Sequence, residues 1–173
     1  MTRRTALLLA GGGVLGLALG GGYVLRELIR LGSPSTGGGM MGAATSADMS
    51  SYMELFSRHR YIRRTVEEIP GGVRTTTEAG APDLVALLQA HVSTMYDHVS
   101  HRAEVTCMSN SLPTLFRHAD GYQRQLTLTE KGVSVIETSR DPALTSAIRK
   151  HAQEVSGFVR DGMPSMMRGM MGN

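Results

Sequence analysis

The chain matches itself at an offset of 60 residues, and this internal repeat constrains its fold more than any other feature. Without gaps, nine identities fall within the 49 positions from residue 55 to residue 103, where composition alone gives roughly three. The identical pairs are Leu55/Leu115, Phe56/Phe116, Arg64/Arg124, Gly72/Gly132, Val73/Val133, Pro82/Pro142, Leu84/Leu144, His91/His151 and Val99/Val159.

Each copy carries the same succession of patterns. A short helical segment with Leu-Phe leads into a strand, a turn, a second strand and a long helix with proline in its first turn, at Pro82 or Pro142. The predicted strands are 61–69 and 73–77 in the first copy and 122–129 and 133–138 in the second. One ββα unit cannot bury its own apolar surface. The sequence therefore predicts an α+β fold in which two tandem ββα repeats form a four-stranded antiparallel sheet with two helices on one face.

Composition changes divide the chain into four segments. We expect a signal peptide or signal anchor helix at 1–30, a flexible Gly/Ser linker at 31–47, a repeat domain at 48–162 and a Met-rich tail at 163–173. Within the domain, the copies are 48–107 and 108–162.

The first segment predicts export. Arg3 and Arg4 precede residues 5–25, which carry no charge and contain seven glycines. A soluble buried helix would be destabilised by so many glycines. The twin arginines before a mildly apolar stretch resemble the twin-arginine type of bacterial signal, which implies the periplasm or the outer face of the membrane. Cleavage of this segment and its retention as a membrane anchor are both consistent with the pattern.

Charge and cysteine content exclude several classes of function. The net charge is +3, but from Ser33 onward 14 basic residues balance 14 acidic ones, so no basic surface for nucleic acid is expected. Cys107 is the only cysteine, which excludes an intramolecular disulfide and a C-x-x-C site. The chain also lacks a phosphate-binding loop and a recognisable nucleophile–base arrangement, so we expect a protein that is not an enzyme.

The two long helices each place a histidine at the centre of an apolar stripe. In the first, His91 is followed on the same face by Met95 and His98; in the second, His151 holds the equivalent position. Equivalent residues approach each other across a pseudo-two-fold axis. We therefore expect His91 and His151 to meet between the helices, as metal ligands or as core residues.

Sulfur-containing residues favour a metal. The chain has 12 methionines against eight aromatic residues, and paired methionines cluster in the tail. Thioether, thiolate and imidazole groups are ligands that Cu(I) prefers, and methionine stays neutral at any physiological pH. The paired Met-Met steps resemble the methionine-rich segments of bacterial periplasmic copper-handling proteins.

The sequence thus predicts an exported copper-binding protein that handles, stores or delivers the ion. The candidate ligands are His91, Met95, His98, Cys107, Met108, His151, Met163, Met166, Met167, Met170 and Met171. Two alternatives stay open. One is a membrane-tethered interaction module without metal, and the other is a haem-binding domain that uses His91 and His151 as axial ligands.

Overall fold

A computed structural model describes residues 42–105, 109–165 and 167. Within these ranges the chain forms four α-helices, a short 3-10 turn and four strands. In chain order they are α1 (Ser46–Ser57), the 3-10 turn (His59–Tyr61), β1 (Ile62–Ile69), β2 (Gly72–Ala79), α2 (Pro82–Ser100), α3 (Leu112–Arg117), β3 (Gln123–Thr129), β4 (Gly132–Thr138) and α4 (Pro142–Asp161). The export segment predicted at 1–30 lies outside the described residues.

The four strands form one antiparallel sheet in the order β1-β2-β4-β3. This confirms the predicted α+β class with a four-stranded antiparallel sheet. The two hairpins join through their second strands, so β2 and β4 lie at the centre and β1 and β3 at the edges. None of the helices in the described ranges has the length and apolar character needed to cross a bilayer.

The central strand pair is symmetric about Thr75 and Val135, which lie opposite each other. Gly72 pairs with Thr138, and Glu78 pairs with Gly132. Adding 60 to one residue number and subtracting 60 from the other therefore converts the first of these pairs into the second. The backbone hydrogen bonds that flank the pair follow the same rule, because Ala79 N–H donates to the Lys131 carbonyl and Ser139 N–H to the Gly71 carbonyl, both at 2.8 Å.

Local signals explain where the helices begin. The Thr45 hydroxyl accepts from the backbone N–H of Asp48, whose carboxylate accepts from the backbone N–H of Thr45, so a capping box starts α1. Helix α1 therefore includes the last two residues, 46 and 47, of the segment predicted as linker. Both α2 and α4 carry proline in the first turn, and the Asp141 side chain caps α4 by accepting from Ala143 N–H at 2.8 Å.

The long helices pack on the strands of the opposite hairpin as well as on their own. Helix α2 contacts β4 and β2, and α4 contacts β2 and β1. Gln89 of α2 donates to the Thr129 carbonyl, and Arg149 of α4 donates to the Ile69 carbonyl. These two hydrogen bonds are equivalent under the 60-residue offset, so each helix is fixed against the turn of the other hairpin.

Alternation along the central strands directs one set of side chains into the interior. The buried members of this set are Val73, Thr75, Thr77, Ala79, Val133, Val135 and Glu137. The helices contribute Leu84 and Leu88 from α2 and Leu144 and Ile148 from α4, all buried. Phe56 of α1 and Phe116 of α3 belong to one apolar cluster. This cluster packs against the C-terminal halves of α2 and α4.

Candidate functional site

An internal cavity of about 230 Å³ lies between the helices and the sheet. Its walls are mainly aliphatic and aromatic, with a few polar side chains among them. The lining residues are Tyr52, Leu55, Phe56, His59, Ile62, Arg64, Thr75, Thr77, Leu88, His91, Val92, Met95, Tyr96, Val99, Val105, Ser109, Leu112, Val133, Val135, Glu137, His151, Val155, Phe158 and Val159. A concave apolar space with a few convergent polar groups is the usual form of a ligand site.

His91 lines this cavity from α2. Its ring meets the ring of Tyr52 edge to face, with centroids 5.1 Å apart and an angle of 88° between the planes. Burial lowers the pKa of His91 to about 4, against a smaller opposing effect of the Asp48 charge. The imidazole is therefore neutral at physiological pH, the form in which histidine binds metals.

Met95 lies one helical turn beyond His91 and lines the same cavity. The Tyr52 hydroxyl donates to the Met95 sulfur at 3.1 Å. Tyr52 thus touches both His91 and Met95 and holds their side chains in place from α1.

His151 lines the cavity from α4, and its Nδ1 faces a polar cluster. This nitrogen lies 3.4 Å from Ser109 Oγ, 3.3 Å from Ser111 Oγ and 3.9 Å from Glu154 Oε2. Both serine hydroxyls donate to the same Glu154 oxygen. Burial alone would raise the pKa of Glu154, but the neighbouring His151 and the hydrogen bonds from Ser109 and Ser111 outweigh it and lower the pKa to about 2.

The Glu154 cluster determines which nitrogen of His151 is available. An ionised carboxylate only accepts hydrogen bonds, and the serine protons are directed to Glu154. His151 therefore carries its proton on Nδ1, on the side of the carboxylate. Nε2 is therefore the nitrogen of His151 that a metal could bind.

His98 is separated from this cavity and lies in a second pocket of about 210 Å³. Its Nε2 is 3.1 Å from Asp48 Oδ2, and both side chains are largely buried. His91 lines both pockets and forms part of the wall between them. The structure thus places His91, Met95 and His151 around one cavity and His98 on its outer side.

The remaining candidate ligands are distributed differently. Met163 is partly buried against the cluster that contains Tyr52 and Phe56, while the Met167 side chain is 54% exposed. Cys107, Met108, Met166, Met170 and Met171 lie outside the residues whose side chains the structure describes.

Among residues 42–105, 109–165 and 167, no three His, Cys, Asp or Glu side chains are grouped closely enough to hold a metal ion. A metal at the cavity wall would therefore need a methionine ligand beside the histidines. Met95 is the thioether that lines the cavity with His91 and His151.

Arg64, Tyr96 and Glu137 are among the polar residues of the cavity that sequence reasoning missed. The Tyr96 hydroxyl donates to Glu137 Oε1 at 3.1 Å, and burial raises the Tyr96 pKa. Burial lowers the pKa of Arg64 to about 10, opposed by the Glu137 charge and by Tyr96. The identity of Arg64 with Arg124 in the repeat was the available signal, because alternation places Arg64 on the same face as Ile62.

The other three histidines each donate a hydrogen bond to a backbone carbonyl. His59 Nδ1 donates to the Val159 carbonyl at 2.9 Å, which ties the 3-10 turn to the end of α4. His101 and His118 donate to the carbonyls of Asp97 and Thr114, four residues earlier, and both are exposed.

No protein-family model, characterised protein or solved structure matches this chain.

Proposed function

We propose that the protein is an exported, non-enzymatic copper-binding protein that holds Cu(I) at the wall of the central cavity. His91, Met95 and His151 are the proposed ligands. The observation that carries this proposal is that these three side chains, from two different helices, line one cavity.

The chemistry of the three side chains supports Cu(I) over divalent metals. Imidazole and thioether ligands add no negative charge, so the site suits a monovalent, soft ion in an apolar environment. The lowered pKa of His91 supports the proposal, because no proton has to leave before the metal binds.

Neighbouring groups support the same assignment by orienting the ligands. The Tyr52 hydroxyl and ring constrain Met95 and His91, and the Glu154 cluster faces Nδ1 of His151. Metal-binding histidines commonly donate their other ring N–H to a carboxylate in this way.

The rest of the chain would serve delivery. We propose that Cys107, Met108, Met163, Met166, Met167, Met170 and Met171 capture the ion or transfer it to a partner. We also propose that the leader exports or anchors the domain, and that the two halves arose as tandem ββα repeats with both long helices on one face of the sheet. The symmetric pairing of β2 with β4 supports this last point.

Anaerobic titration of the full chain with Cu(I) against a chromogenic chelator tests the proposal. We expect tight binding that is lost in the double variant His91→Ala/His151→Ala. The matched control is His101→Ala/His118→Ala, which removes two exposed histidines and should bind as the unaltered chain does. Tight binding that survives in the first variant would move the site to the methionines, and no tight binding in the unaltered chain would contradict copper handling.

Haem is the second candidate, because the same cavity places His91 and His151 on an apolar wall. A Soret absorption band on adding haem, abolished in His91→Ala/His151→Ala, would favour it. A chain that binds neither copper nor haem would favour the membrane-tethered interaction module.

A further inference from the structure

Arg64 lies in the cavity wall, and its guanidinium has fewer hydrogen-bond acceptors around it than it has N–H donors. Its Nη1 donates to the Thr77 hydroxyl at 2.6 Å, and its Nε is buried without a hydrogen-bond partner within the described ranges. Within the same part of the chain, no carboxylate lies within 4.0 Å of this guanidinium, in contrast to Arg58, Arg74 and Arg149, which each pair with an acid.

This arrangement is unfavourable unless something else fills the cavity. A guanidinium has five N–H donors, and removing it from water is costly when they are not satisfied. Thr77 supplies one neutral acceptor. The remaining donors lack an anion.

Glu137 lines the cavity but does not neutralise Arg64. Its carboxylate accepts from Tyr96, and it lies opposite Arg124 in the sheet register, next to the other edge strand. Arg64 lies opposite Thr77 on β1. Arg64 on edge strand β1 and Glu137 on central strand β4 therefore both line the cavity without forming an ion pair with each other.

We propose that the cavity binds an apolar monocarboxylate whose carboxylate pairs with Arg64 and whose hydrocarbon part lies along the aliphatic walls. Arginine recognises carboxylates by two parallel N–H···O bonds, and the unsatisfied Nε is one of the donors of such a pair. A second acidic group on the ligand would face Glu137, which excludes dicarboxylates. This inference goes beyond the proposed function, and metal-free protein tests it.

Isothermal titration calorimetry of the metal-free full chain with decanoate, decanol and 2-naphthoate tests the proposal. Decanoate and decanol have matched chains and differ in charge, while 2-naphthoate presents the same carboxylate on an aromatic body. We expect at least one of the two acids to bind in a saturable manner, and decanoate to bind about ten- to a hundredfold more tightly than decanol. Saturable binding of 2-naphthoate in place of decanoate would assign an aromatic acid to the same site.

Arg64→Met removes the cation and keeps an apolar side chain of similar length, so we expect the variant to fold. Its affinity for the bound acid should fall about ten- to a hundredfold. Arg63→Met is the matched control, since Arg63 is exposed and points to the opposite face of β1, and its affinity should not change.

Three results would overturn the proposal. They are saturable binding of decanol as tight as that of decanoate by the unaltered chain, equal loss of affinity in the Arg63 and Arg64 variants, and absence of saturable binding for both acids. The comparison of decanoate with decanol needs no variant and holds even if Arg64→Met fails to fold. Cu(I) affinity is a separate measurement, so failure here leaves the copper proposal standing.

Discussion

Thr75 lies opposite Val135 at the centre of the sheet, and the two residues are equivalent positions of the 60-residue repeat. A pseudo-two-fold axis therefore passes through this pair. Both side chains line the cavity, so the axis passes through the part of the cavity wall that the sheet forms. His91 and His151, which are also equivalent, line it from α2 and α4.

Substituting alanine at either of two equivalent glycines should separate the central strands. A Cβ on Gly72 would lie 1.8 Å from the Glu137 carbonyl oxygen, and one on Gly132 would lie 2.1 Å from the Thr77 carbonyl oxygen. Backbone atoms must move in both cases, so we expect a loss of more than about 2 kcal/mol in the free energy of unfolding, measured by urea denaturation.

Gly80→Ala is the control for this pair, because a Cβ there meets no atom within 4 Å. Its free energy of unfolding should stay within about 1 kcal/mol of the unaltered value. Similar losses in all three variants would contradict the close approach of β2 and β4.

His91 in the cavity wall should make the fold less stable in mild acid. Burial lowers its pKa from 6.5 to about 4, so between these values the unfolded chain takes up a proton that the folded chain refuses. Stability from this group is complete above pH 6.5 and declines by up to about 3 kcal/mol as the pH falls through the window. His91→Leu should remove this dependence in urea denaturation across the window, whereas His101→Leu, at an exposed position, should leave it in place.

Glu154 should contribute to the pH dependence of stability in a more acidic range than His91. Its pKa falls from 4.5 to about 2 on folding, because the neighbouring His151 and the hydrogen bonds from two serines outweigh the opposing effect of burial. The folded state is favoured fully above pH 4.5, and up to about 3 kcal/mol is lost as the pH falls toward 2. Glu154→Gln should flatten the acid limb of the stability curve, with exposed Glu130→Gln as control. An acid limb unchanged by Glu154→Gln would contradict the cluster.

Met95→Leu should separate metal binding from packing. The two side chains have similar volume, so the free energy of unfolding should change by less than about 1.5 kcal/mol. Loss of the thioether should weaken Cu(I) binding at least about tenfold in competition titration. Met49 packs on the same cluster, and Met49→Leu should leave the Cu(I) affinity unchanged. An equal effect of both substitutions would contradict a ligand role for Met95.

The strands and long helices could be predicted from the sequence because their signals are local. Pro82 and Pro142 open the two helices as predicted, and alternation around Val133 and Val135 predicts the buried face of β4. The repeat predicted that the two hairpins form one sheet, but it left open which strands join, and the structure joins β2 to β4.

The polar contacts of the site could not be predicted, because they involve segments whose sequence shows no helix or strand periodicity. His98 shares its helical stripe with His91, yet it pairs with Asp48, which only the position of α1 brings near. Ser109 follows a segment without a helix or strand signal and reaches Glu154 only in the folded chain. Alternation places Arg64 on the face of Ile62, but its burial becomes evident only when α4 is placed over β1.

X-ray absorption at the copper edge of the full chain, loaded with equimolar Cu(I), tests the central claim most directly. The account predicts a first coordination shell that contains imidazole nitrogen and thioether sulfur, with the nitrogen contribution lost in His91→Ala/His151→Ala. A shell of sulfur alone, unchanged in that double variant, would contradict a copper site at the cavity wall and place the ion on the methionines elsewhere in the chain.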